Sequence, residues 1–185
     1  KTYKTQGNYN NHIGLPLTIL QMNADCELLI LEMGMSGYKE IEFLSELAEP
    51  NYAVVTNIGE SHIEQLGSRE GIAEAKMEII KGLQSEGKVF LDGDEPLLKP
   101  YINEQAVKCG FNDDCNFQII NINSTVQGYT FCIKGNDFVY EFPVLGRHNV
   151  KNAVYAIAVA LSLGLNREDI NKGLSQTKIT GMRLE

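Results

Sequence analysis

Seven residues, Thr56-Asn57-Ile58-Gly59-Glu60-Ser61-His62, bring an amide, a carboxylate and an imidazole into one short stretch. A lysine, Lys76, follows fourteen residues after His62. The stretch comes directly after an apolar run, Tyr52-Ala53-Val54-Val55, that reads as a buried strand, and before a helical pattern that begins near Arg69. Asn57, Glu60 and His62 are therefore placed in a loop at the carboxyl end of a strand, where open α/β sheets bind their ligands. A second apolar run, Leu28-Leu29-Ile30-Leu31, ends in Glu32-Met33-Gly34 and sets another carboxylate at an equivalent strand end. Two strand tips bearing Glu and His, with a lysine on the next helix, point to a phosphate-and-metal site.

Each of these residues also has a plainer reading. Glu32 suits Mg²⁺, because hard cations take carboxylate oxygen, and Gly34 allows close backbone approach; Glu32 equally suits a solvated carboxylate opening a loop. His62 reads as loop surface or as a ligand. Imidazole is an uncommon partner for Mg²⁺, but Asn57, Glu60 and Glu64 give it functional company. Lys76 lies at the border of an apolar face made by Ile72, Ala75, Ile79 and Ile80. A lowered pKa there would leave a neutral amine able to react with CO₂ or other electrophiles. Glu74 and Glu78 nearby fit an ordinary exposed lysine instead. In Gly146-Arg147-His148-Asn149-Val150-Lys151-Asn152, Asn149 reads as a helix N-cap. Alternatively, Asn149 and Asn152, one turn apart, present amides that match adenine N6 and N7. Arg183, in Gly181-Met182-Arg183, reads as surface or as a phosphate clamp. No G-x-x-x-x-G-K-[ST] stretch occurs in the chain.

The elements that must position these residues follow from periodicity and breakers. Residues 1–15 read as an extended entry and a polar loop, and Leu15–Met22 as a short helix with Pro16 in its first turn. Ser36 reads as the N-cap of a helix that shares Ile41, Leu44, Leu47 and Ala48 on one face and stops at Pro50. A helix is expected over Arg69–Gln84, strands over Lys88–Leu91 and Val107–Phe111, and a helical segment over Leu97–Asn103. Residues 116–144 then alternate, with short turns at Asn123-Ser124-Thr125 and Lys134–Asp137, and read as an antiparallel meander. An apolar helix through Val150, Ala153, Val154, Ile157, Ala158 and Leu161 ends at Gly164, and a last helix spans about Arg167–Ser175. The fold class expected is α/β: a mostly parallel sheet flanked by helices, with an added antiparallel β-meander.

Composition narrows the function. At 185 residues and 43% hydrophobic content the chain can bury a real core. A net charge of −8 argues against general nucleic-acid affinity. The four cysteines form no C-x-x-C pair and read as reduced thiols of a cytoplasmic protein. No apolar stretch approaches a membrane span, and the polar start does not read as a signal peptide. The chain opens without Met and closes soon after Gly181-Met182-Arg183, which reads as a piece of a longer protein.

The order of motifs resembles the central ATPase domain of the Mur ligases: Thr5-Gln6-Gly7-Asn8-Tyr9-Asn10-Asn11-His12-Ile13-Gly14-Leu15-Pro16, Leu31-Glu32-Met33-Gly34, Thr56–His62, Glu74-Ala75-Lys76, Gly146–Ala153 and Gly181-Met182-Arg183. The Gly7–Asn11 loop and the Asn57–Glu64 stretch are most similar to the member that adds D-alanyl-D-alanine to UDP-N-acetylmuramoyl-tripeptide in peptidoglycan synthesis. The resemblance implies that Glu32 and His62 bind Mg²⁺ and that Lys76 becomes carbamylated and helps hold a second Mg²⁺. It implies that Asn149 and Asn152 contact the adenine of ATP, Arg183 the nucleotide near a hinge, and that Asn57 supports the metal loop. Thr5, Asn8, Asn10 and Asn11 would face the UDP-muramoyl peptide. In the implied reaction a peptide carboxylate attacks the γ-phosphate of ATP to give an acyl phosphate, which the incoming amine then opens. In that family the P-loop lies upstream of Thr5 and the amine-binding domain lies after Arg183. Residues 1–185 are therefore expected to be a central-domain fragment, inactive alone. A related ligase such as folylpolyglutamate synthase, and a non-catalytic nucleotide-binding regulator, are the other readings.

Overall fold

The structure, a computed structural model, describes residues 1–177. The chain divides into two units, residues 1–53 with 58–89, and residues 54–57 with 90 onward.

In the first unit, strand β1 (Thr2–Lys4) pairs in parallel with β2 (Leu28–Ile30), Tyr3 opposite Leu29. Residues 2–4, read from sequence as part of an extended entry, form a strand, and the pairing that makes them one lies 26 positions away in the register. Helix α1 (Gly14–Leu20) lies between the two strands in sequence. Pro16 falls in its first turn, where a missing N–H costs nothing, and Leu15 is completely buried. Leu15, Ile41 and Leu44 form a core, against which Ile19, Leu31, Met33, Met35 and Ile79 pack.

Helix α2 spans Glu40–Ala48, and Lys39 rather than Ser36 stands at its N-cap, with φ +68°. The Ser36 N–H instead donates to Glu40 Oε2 at 2.8 Å. The start of α2 is served from elsewhere in the chain: the carboxylate of Glu78, itself buried, accepts the N–H of Lys39 at 2.8 Å and of Glu42 at 3.3 Å. The buried face of α2 is Ile41, Leu44 and Ser45, and Leu47 is exposed, so the expected apolar stripe is rotated. Ser45 is buried there with its hydroxyl donating to the Ile79 carbonyl and accepting the Gly82 N–H.

Strand β3 (Tyr52–Val55) matches its apolar run. A short helix α3 (Ile63–Leu66) that the sequence did not signal precedes α4 (Arg69–Met77). The Ser68 side chain accepts the Gly71 N–H and caps α4. The helix expected to reach Gln84 ends at Met77 and tightens into a 3-10 turn, Glu78–Lys81. That turn is what brings Ile79 and Glu78 onto α2.

In the second unit, β4 (Lys88–Asp92), β5 (Ala106–Gly110), β6 (Phe117–Ser124), β7 (Tyr129–Ile133) and β8 (Tyr140–Phe142) follow β3 in a sheet of order β3-β4-β5-β6-β7-β8. The segment Pro96–Tyr101 is a 3-10 turn. β5 and β6 run parallel, while β6–β7 and β7–β8 are antiparallel. The meander is therefore no appendage: it extends one mixed sheet. Helix α5 (Arg147–Ser162) buries Val150, Ala153, Val154, Tyr155, Ile157 and Ala158 and packs on β5 and β6. Gly164, at φ +85°, follows its end in a conformation that suits glycine. Helix α6 (Arg167–Ser175), capped by the Asn166 side chain, packs on β8 and α5.

Candidate functional site

Thr5, Asn8, Asn10, Asn11, Glu32, His62 and Lys76 all belong to the first unit. Three of them are tied together. Just past β2, the Glu32 N–H donates to Thr5 Oγ1 at 2.9 Å, and Glu32 Oε1 accepts from Asn10 Nδ2 at 3.3 Å. The Asn10 carbonyl in turn accepts the Gly34 N–H at 2.8 Å. Close approach requires glycine at Gly14, where a Cβ would overlap the Tyr9 backbone; a Cβ at Gly34 would come to 2.9 Å from Asn10 Nδ2 and displace that amide. Asn11 serves the fold, since its Oδ1 accepts the N–H groups of Ile13 and Gly14 at the start of α1. Asn8 is exposed, and its carbonyl accepts the Asn10 N–H.

The loop after β3 is anchored through Ile58, which is buried and whose carbonyl accepts from Arg69 Nη2 at 3.0 Å. His62 closes the loop at φ +65°, left-handed backbone that a non-glycine residue rarely adopts. Such strain collects at functional sites. His62 is exposed and lines an open depression with Glu60, Ile63, Glu64 and Gln65. Lys76, on α4, is half-buried between fully enclosed neighbours, Ala75 and Met77, and this burial pushes its pKa down.

Among the described residues no group of three or more His, Cys, Asp or Glu side chains converges to hold a metal ion. Of the candidate donors, the Glu32 carboxylate suits Mg²⁺, whereas the His62 imidazole suits softer metals better. Glu32 offers an exposed carboxylate, and Mg²⁺ usually keeps several waters and phosphate oxygens around one or two carboxylates.

Asn57, Asn149 and Asn152 belong to the second unit. Asn149 is not the N-cap of α5. Gly146 occupies that place at φ +94°, and Asn149 lies in the first turn. Its Nδ2 donates to the Leu145 carbonyl at 2.8 Å, and its Oδ1 accepts from Asn152 Nδ2 at 3.3 Å. The two amides thus form a pair that uses one Asn152 N–H and the Asn149 oxygen. Tyr155, on the same helix, donates its hydroxyl to the Thr56 carbonyl at 3.2 Å, next to Asn57. Arg183, with Gly181 and Met182, lies outside the described residues.

Sequence reading passed over a second set of residues. Lys151 Nζ is held by Asp92 Oδ1 and Oδ2 at 2.8 and 2.9 Å and by Asp94 Oδ2 at 2.7 Å. Asp94 also accepts the N–H groups of Phe111 and Asn112, and the Arg147 guanidinium sits 4.3 Å over the Phe111 ring. The available signal was Asp92-Gly93-Asp94 at the end of the β4 apolar run, another strand tip bearing carboxylates.

The chain is 51% identical over all 185 residues to the UDP-N-acetylmuramoyl-tripeptide–D-alanyl-D-alanine ligase of Bacillus subtilis, covering 40% of that protein. It therefore spans about 40% of the length of the curated relatives it matches. A crystal structure of MurF from Acinetobacter baumannii superposes on the whole chain with a TM-score of 0.90 at 29% identity, over 42% of that structure. MurF from Thermotoga maritima, solved in complex with ADP, matches 97% of the chain and 42% of its own with a TM-score of 0.83 at 27% identity. The sequence pattern of the Mur ligase middle domain covers residues 1–160, the span that holds the Thr5–Asn10–Glu32 tie, the His62 loop, Lys76 and the Asn149–Asn152 pair, and so the chain belongs to the Mur ligase middle domain family.

Proposed function

We propose that this chain is the ATP- and Mg²⁺-handling central domain of a cytoplasmic ligase that joins D-alanyl-D-alanine to UDP-N-acetylmuramoyl-tripeptide in peptidoglycan synthesis. The observation that carries the reading is the tie of Glu32 to Thr5 and Asn10. It fixes a carboxylate at a strand tip beside a loop rich in amide groups, as a site that holds a cation next to a polar, phosphate-bearing substrate requires. The 51% identity to the Bacillus subtilis ligase favours the peptidoglycan substrate over a folylpolyglutamate.

In this reaction the tripeptide carboxylate attacks the γ-phosphorus of ATP and releases ADP, giving an acyl phosphate. The D-alanyl-D-alanine amine then attacks the acyl carbon, the C–O bond to phosphate breaks, and a proton leaves the amine. Mg²⁺ supplies positive charge that offsets the anionic charge gathered in both steps. Glu32 and His62 would hold that ion, and Asn57 would support the loop that carries His62. Half-burial lowers the Lys76 pKa, which favours the amine that would add to CO₂ with loss of a proton, and the anionic oxygens of that carbamate would help hold a second Mg²⁺. Thr5, Asn8 and Asn10 orient the UDP-muramoyl peptide. Asn149 and Asn152 read the adenine edge, and Arg183 meets the nucleotide. Positioning and electrostatics of this kind carry most of the rate in phosphoryl transfer.

The test is phosphate release by the complete protein with ATP, Mg²⁺ and UDP-N-acetylmuramoyl-tripeptide, with and without D-alanyl-D-alanine. Release that needs both substrates and collapses in Lys76→Ala and His62→Ala supports the reading. Release indifferent to D-alanyl-D-alanine overturns it.

A further inference from the structure

Lys151 is embedded in the adenine-reading segment but faces away from its asparagines. At about 100° per residue, Arg147 and Lys151 lie about 40° apart on α5 and Asn149 with Asn152 about 60° apart, and the two pairs centre roughly 150° from one another. One side of the first two turns is therefore free for a ligand, while the other is bolted down. The bolt has two parts. Lys151 Nζ meets three carboxylate oxygens of Asp92 and Asp94 within 2.9 Å, and none of these side chains is more than one-fifth exposed. Arg147 stacks on Phe111, whose N–H donates to Asp94 at 3.0 Å, so both parts converge on one carboxylate.

From this juxtaposition we propose that Lys151 is a positioning residue: anchored by Asp92 and Asp94, it fixes the rotation of α5 and thereby aims the Asn149–Asn152 amide pair at the nucleotide base. The inference rests on the ATP reading above. A partly buried ion pair contributes little net stability, because desolvation offsets the attraction. Three oxygens around one ammonium therefore act mainly on geometry. The anchor also stays charged across physiological pH. Burial alone would lower the Lys151 pKa, but the two carboxylates outweigh it and raise it. The Asp94 carboxyl, which burial alone would raise, is held below the usual range by Lys151 and by the Phe111 and Asn112 N–H groups.

The test uses the complete protein and compares Lys151→Met, which keeps length and removes charge, with Lys151→Arg, measuring the KM for ATP, kcat and the preference for ATP over GTP. The expected result is a KM for ATP raised about tenfold in Lys151→Met, with kcat within about twofold, a visibly reduced ATP preference, and recovery of both in Lys151→Arg. A residue that only supports the fold would lower the melting temperature and the active fraction and leave KM and base preference unchanged; that result overturns the proposal. If Lys151→Met does not fold, Asp92→Asn carries the same comparison. Wild-type protein without ATP-dependent turnover would instead overturn the ligase reading, so the two failures are distinguishable.

Discussion

The backbone N–H of Glu32 donates to the side-chain oxygen of Thr5 at 2.9 Å, linking residues 27 positions apart at the ends of two parallel strands. A proposed substrate contact and a proposed metal ligand therefore share one hydrogen bond, and disturbance of one reaches the other.

Thr5→Val keeps the branched shape and removes the acceptor. The orphaned Glu32 N–H costs about 1 kcal/mol of stability, and the carboxylate loses its backbone anchor. In the complete protein we expect the Mg²⁺ concentration for half-maximal activity to rise several-fold while saturating activity falls less. A Mg²⁺ titration with an unchanged midpoint would sever the link between Thr5 and the ion.

Lys76→Ala is expected to cost on the order of 100-fold in turnover, and Lys76→Arg should not restore it, because a guanidinium does not reach the neutral form at working pH. The pH dependence has a definite sign. The folded pKa of Lys76 lies below its unfolded value, so between the two the unfolded chain binds more protons and this group's contribution to stability rises with pH. Urea melts of wild type and Lys76→Met should differ least at the alkaline end of that window. A difference that widens with pH would refute the burial account.

Glu78→Gln tests the capping of α2 from outside the helix. Glutamine offers one acceptor oxygen and no charge where the carboxylate accepts two N–H groups at the positive end of a helix. A loss of about 1 kcal/mol in denaturant midpoint analysis is expected, with turnover of the folded variant unaltered.

Burial pushes the Cys109 thiol up to about 12 and the Cys115 thiol to about 11. Since the thiolate is the reacting form, neither should label at pH 8 in the native protein, whereas Cys26, half-buried, should react. Labelling of Cys109 should track unfolding. Rapid native labelling of Cys109 would contradict its burial.

What the sequence disclosed depended on range. Tyr52–Val55, the three strands of residues 117–142 and the apolar face of α5 were legible, because alternation and 3.6-residue periodicity are local. The Glu78 cap of α2 was not, since its partners stand 36 and 39 positions away. The parallel join of β5 to β6, the Ser45 contact on the buried face of α2 and the Lys151 anchor, 59 positions from Asp92, were hidden for the same reason. For the proposed site, residue types and order single out Glu32, His62, Lys76 and the asparagine pair. Which asparagine serves a helix and which faces outward became visible only with Asn11 bonded to α1 and Asn149 to Leu145.

Gly14 and Gly34 flank the Tyr9–Asn10 segment: a methyl group at Gly14 would overlap the Tyr9 backbone, and one at Gly34 would push aside the Asn10 amide that bonds Glu32. Neither carries a functional group, yet a saturation mutagenesis map scored by cell growth would mark both as intolerant as a metal ligand. An experimenter ranking positions by tolerance alone would place two residues with no side chain among the catalytic set, and a directed-evolution campaign aimed at new substrates would have to vary the loop while leaving its two flanking walls untouched.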